Sequence, residues 1–191
     1  MRRLSRILTL LALTGLCLFT VAPAQASHPQ RHPVTTVKIA GVIQGGTAYT
    51  LQAGPNVGVD KSTFNGRCSV PSSLLIGFQG TGLFTELGTV SLEGWHCTLL
   101  NVPAQTGTYR DGTMTLKATG GDSLTFTHTG EFRIVDNVTY LTSTGTITGG
   151  TGRFRGATGT TAEFGQQNLK TDLLQVGTTA TVSYHPADHA R

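Results

Sequence analysis

Cys68 and Cys97 are residues whose type and spacing suggest chemistry, since an even pair of cysteines outside the leader of an exported chain reads as a disulfide. Closing a loop of about 30 residues would stabilise the fold by roughly 3–4 kcal/mol in the chain-entropy view. The rival reading is a thiol nucleophile, with His96 beside Cys97 as its base. In a strand, however, adjacent side chains point to opposite faces, which separates that pair.

His128, Glu131 and Arg133 form a second group. Facing inward at a barrel mouth, Glu131 and Arg133 would supply acid–base chemistry. Facing outward, they are an ordinary surface pair of charges two apart on one strand. Trp95 and Tyr140, each at an alternating position of a strand-like segment, complete the candidate ligand contacts, with core filling as the alternative for Trp95. No catalytic residue is assigned. No serine sits in a nucleophile-elbow context.

The run from Gly149 to Gly159 contains Gly149, Gly150, Gly152, Arg153, Phe154, Arg155 and Gly156. Arg153 and Arg155 would share a face in extended geometry and suit a carboxylate or phosphate. The alternative is two solvated turn residues with Phe154 plugging a barrel end between them. The run has no following Lys-Ser/Thr and opens no helix, so it is not a phosphate loop. His28 with His32, and His185 with His189, have a metal-like spacing, but both pairs lie in Pro-containing tails without rigid geometry, so no metal site and no cofactor is expected.

Short segments that alternate at period 2 must position these residues. They cover 34–43, 49–53, 74–78, 90–100, 106–109, 113–118, 123–128, 131–135, 138–147, 160–164 and 173–184. Gly45-Gly46, Arg110-Asp111-Gly112, Gly130 and Asp136-Asn137 read as turns between them, and 54–73 as a long loop. One helical turn fits 164–170. The pattern is all-β, roughly eight to eleven short strands with turn signals about every 8–12 residues, as in a sandwich or barrel. The glycine run is then a corner between two antiparallel strands.

Residues 1–26 read as a signal peptide, with Arg2, Arg3 and Arg6 before an apolar stretch and a small-x-small site at Ala24–Ala26. Cleavage near Ala26-Ser27 predicts a secreted or extracytoplasmic protein, with a leader at 27–33, a barrel domain at 34–184 and a tail at 185–191. Three of the 14 Lys and Arg leave with the signal and none of the 10 Asp and Glu, so 11 against 10 remain, a net of +1. That near-neutral balance offers no footprint for nucleic acid, and the apolar stretch is short for a stable membrane insertion.

The segment from Ile147 to Ala157 resembles the glycine-rich motif of dirigent proteins and allene oxide cyclase relatives, and of exported bacterial proteins with a similar run. The stretch from Gly80 through Leu87-Gly88 to His96-Cys97 also resembles an upstream block of those bacterial proteins. The resemblance implies an antiparallel eight-stranded barrel. It transfers no catalytic residue, because the ligand-facing positions of those families lie outside the motif. Three functions follow as expectations: binding of a small apolar ligand without catalysis, an isomerase or cyclase acting on a lipid- or phenol-derived substrate, and a structural or interaction module of the cell envelope. Polar residues inside the barrel would discriminate the second; an interior wholly apolar and packed shut would exclude it.

Overall fold

Thr, Val and Ile alternating with small or polar residues draw the described residues into eight strands, since β-branched side chains suit a pleated, half-buried surface. The computed structural model describes residues 33–52, 67–69 and 74–186. The strands are β1 (Thr35–Gln52), β2 (Leu74–Phe84), β3 (Gly88–Asn101), β4 (Thr106–Ala118), β5 (Ser123–Val135), β6 (Val138–Thr151), β7 (Thr158–Asn168) and β8 (Leu173–Tyr184). Each pairs antiparallel with the next, and β8 pairs with β1 to close the barrel. Closure leaves no strand edge exposed along the ladder.

The strands are longer than the sequence pattern suggests, because several turn signals fall inside them. Residues 34–43 and 49–53 belong largely to one strand, β1, which runs through Gly45-Gly46. Asp111 is not in a hairpin turn. It sits in a β-bulge of β4, with a left-handed φ of 54°. Gly130 likewise continues β5 with no reversal, and residues 164–168 are strand where one helical turn was expected. Asp136 and Asn137 do turn the chain between β5 and β6, at φ of 49° and 63°, the paired positive values of a two-residue hairpin turn. Most of the expected 54–73 loop, the signal segment, the leader up to His32, and the tail beyond residue 186 lie outside the described residues.

One end of the barrel is filled. Ile39, Phe84, Val90, Leu116, Leu124, Phe126, Ile147 and Val182 interdigitate there. The β6–β7 connection closes it with a short 3-10 turn, Gly152–Phe154, whose Phe154 is 0% exposed. The glycine run lies in this β6–β7 connection, with Phe154 buried in its turn. A smaller apolar cluster lies on the outer wall, where Leu75 and Trp95 surround the Cys68–Cys97 disulfide.

Candidate functional site

The unfilled end of the barrel holds a cavity of about 260 Å³. Apolar side chains of Ile43, Ile76, Phe78, Leu92, Met114, Leu141, Leu174 and Val176 make most of its wall. Set among them are His96 from β3, Tyr109 from β4, His128 from β5 and Glu163 from β7, with Thr47, Gln167 and Asp172 also lining it.

Three local devices aim these groups inward. His96 follows from simple alternation: Cys97 points out to the disulfide, so His96 points in. The nucleophile reading therefore fails, because Cys97 is bonded to Cys68. Tyr109 depends on the bulge. It has the parity of Thr113 and Thr115, whereas Gly112, Met114, Leu116 and Ala118 are the buried positions. The extra residue between Tyr109 and Gly112 flips Tyr109 into the interior. His128 and Tyr109 then each lie over a glycine directly across the ladder. A Cβ on Gly112 would stand 2.5 Å from His128 Nε2, and one on Gly130 would stand 2.5 Å from the Tyr109 hydroxyl oxygen.

The rings form a cluster. His96 stacks on Tyr109 with centroids 4.6 Å apart, and His128 meets both edge-on. Phe78 closes the group at 5.2 Å from His96. His96 Nδ1 and His128 Nε2 share a hydrogen bond of 3.2 Å, and the Tyr109 hydroxyl donates to the Thr142 carbonyl at 3.0 Å. His96 shows some accessible surface because it borders the cavity, yet its ring is enclosed by protein. Burial lowers it to about 3, helped by His128, and lowers His128 to about 4. Both imidazoles are neutral at physiological pH. Burial, followed by the neighbouring Glu163 and Glu131 carboxylates, pushes Tyr109 up to about 12 against a hydrogen-bonding pull from Ser143.

Glu163 is 6% exposed. The Ser143 hydroxyl on β6 donates to its Oε2. Thr178, its register partner on β8, stands beside it without completing a bond, for neither Thr178 Oγ1 nor Glu163 Oε1 has a partner among the described residues. Burial raises Glu163 to about 7 against the pull of the Ser143 and Thr178 hydroxyls. Asp172, by contrast, is fully engaged at the rim. It accepts from the Thr47 backbone N–H at 2.8 Å, the Thr47 hydroxyl at 2.9 Å and Gln167 Nε2 at 2.6 Å.

Of the ligand-contact candidates read from sequence, His128 alone lines this cavity. Glu131, Arg133 and Tyr140 lie together along a groove on the outer wall, where the Arg133 guanidinium sits 5.5 Å from the centre of the Tyr140 ring. Trp95 is on the outside against the disulfide, with Arg67 over its ring at 5.2 Å. Arg153 pairs with Asp122 at 2.9 Å and covers Phe154, so its charge is taken up in the corner, while Arg155 is exposed. Glu163, Tyr109 and Asp172 were not singled out from the sequence. Among the described residues, no group of three His, Cys, Asp or Glu is placed to hold a metal ion.

No protein-family model matches the chain, and no curated protein matches it. Among solved structures it is similar to the pterocarpan synthase dirigent proteins GePTS1 and PsPTS1. The identities are 13% and 14%, and the TM-scores 0.48 and 0.46. The alignments cover 85% and 83% of this chain and 92% and 99% of those chains.

Proposed function

We propose that this protein is an exported β-barrel that binds a small, largely apolar molecule in the open end of its interior, without chemistry of its own. The observation that carries this reading is the 260 Å³ cavity, walled by aliphatic and aromatic side chains and filled at the opposite end by a packed core. Its size is just under the usual range of ligand pockets, about 300–1,000 Å³, which favours a compact guest. A disulfide agrees with an oxidising, extracytoplasmic setting. Titration with a panel of small lipophilic fluorophores, followed by displacement, tests the reading. Saturable binding that is lost on replacing Met114 or Leu92 with Trp supports it, and no displaceable binding across the panel defeats it.

A second reading is an isomerase or cyclase on a lipid- or phenol-derived substrate. The observation that favours it is a carboxyl raised to about 7 inside an apolar cavity, the poise expected of a proton-transfer group. Turnover abolished by Glu163→Gln with ligand binding retained is the result that would select this reading over simple binding.

A further inference from the structure

We propose that the guest of this cavity is a small organic amine, held by its ammonium group against Glu163 with its apolar body among the aromatic rings. The inference rests on the cavity-binding reading and adds the chemical class of the ligand.

The charge inventory of the cavity is one-sided. Among the described residues, Glu163 and Asp172 line it, and no Lys or Arg does. A carboxylate in an apolar enclosure needs a counter-charge or several donors, or else it takes up a proton. Asp172 has three donors from Thr47 and Gln167. Glu163 has one, from Ser143, and its Oε1 is buried without a partner among the described residues. An ammonium group brings both the missing charge and the missing donor.

The other groups that face Glu163 favour the same guest. From β8 comes Thr178 and from β6 Ser143, neither charged. Tyr109 on β4 stays un-ionised, and His96 on β3 and His128 on β5 stay neutral, so none of these three supplies a cation to compete for the carboxylate. His128 Nδ1 is a second buried polar atom without a partner, available as an acceptor in the tautomer that bonds His96 through Nε2–H. The Phe78 ring, which also lines the cavity, adds an electron-rich surface that attracts organic cations. An anionic guest would meet two carboxylates and, among the described residues, no cationic side chain.

The test compares 2-phenylethylamine with its neutral counterpart 2-phenylethanol on the purified protein, by calorimetry at pH 5 and pH 8. Amine affinity should follow the ionised fraction of Glu163, rising roughly a hundredfold across that interval, while the alcohol changes little. Glu163→Gln should remove both the pH dependence and the preference for the amine, and Glu163→Asp should keep part of each. Should the Gln variant fail to fold, a carboxyl ¹³C titration of the wild-type protein serves instead, with the Glu163 midpoint expected to fall when the amine is added. An alcohol that binds as well as the amine, or an amine affinity flat with pH, overturns the amine class and leaves the cavity reading intact. Binding of neither probe at pH 8 overturns both.

Discussion

Ser69 donates its backbone N–H and its hydroxyl to Oδ2 of Asp111, at 2.8 and 2.7 Å. Ser69 adjoins Cys68, so the disulfide to Cys97 holds this short segment against the bulge of β4. The bulge in turn directs Tyr109 into the cavity. A covalent link on the outer wall thereby fixes a side chain on the inner one. Asp111→Ala removes the acceptor and places a Cβ residue without local hydrogen bonding at a left-handed φ. It should cost about 2 kcal/mol in chemical denaturation, with Asp111→Asn nearer about 1. Reducing the disulfide, whose cysteines are 29 apart in sequence, should cost about 3–4 kcal/mol and weaken binding of a cavity probe.

Gly130 and Gly112 carry the rings of Tyr109 and His128 on their bare backbones. Gly130→Ala and Gly112→Ala should each destabilise by about 2–3 kcal/mol, since the added methyl crowds a buried ring and, at Gly130, also the Thr142 backbone carbonyl 2.2 Å away. Gly120→Ala is the control. Nothing lies within 4 Å of its Cβ position, and its thermal midpoint should stay within that of a surface substitution, about 0.5 kcal/mol. A loss at Gly120 equal to that at Gly130 would show that ring packing is not the cause.

The barrel was legible in the sequence, and half of the cavity was not. Alternation marks each strand, and alternation beside Cys97 is enough to turn His96 inward. It misleads at Tyr109, because one bulge residue reverses the parity, and a bulge at Arg110-Asp111 has the same composition as a tight turn. It misleads again on β7. There the apolar positions Ala162 and Phe164 face solvent while Thr161 and Glu163 face the interior. Phe164 is 64% exposed and lies over Gly177 of β8, so its apolar surface is spent outside the barrel on a neighbouring glycine. No local pattern distinguishes that use from core packing.

The buried titratable groups predict an unusual pH profile of stability. His96 and His128 are lowered from 6.5 to about 3 and 4, so below 6.5 the unfolded chain binds two protons that the folded one does not. Stability is therefore lost on acidification. Glu163 is raised from 4.5 to about 7, so between those values the folded chain holds one proton more, and stability falls as pH rises. From pH 4.5 to 6.5 the net difference is one proton, a rise of about 1.4 kcal/mol per pH unit, with a maximum near 6.5 and a decline to 7. Glu163→Gln should double the rising slope and abolish the decline. Denaturant midpoints measured at half-unit intervals of pH check both features, and a profile unchanged by the substitution would place the titration elsewhere.

Phe154 and Phe164 stand ten residues apart in sequence and make opposite predictions. Phe154 is fully buried in the turn that closes the filled end, edge-on to Tyr184 at 5.0 Å and covered by Arg153. Phe154→Ala opens a cavity beneath a corner whose glycines take the left-handed backbone, at φ of 59° for Gly152 and 69° for Gly156. The cost should be about 3–5 kcal/mol. Arg153→Ala should cost about 1 kcal/mol or less, since its ion pair with Asp122 is partly solvated. Phe164→Ala removes a ring from solvent and from Gly177 and should also stay near 1 kcal/mol. Urea unfolding of the three variants orders them. If Arg153→Ala proved as damaging as Phe154→Ala, the corner would be held by charge; the geometry argues instead that the shape of the glycine run serves to seat one buried ring.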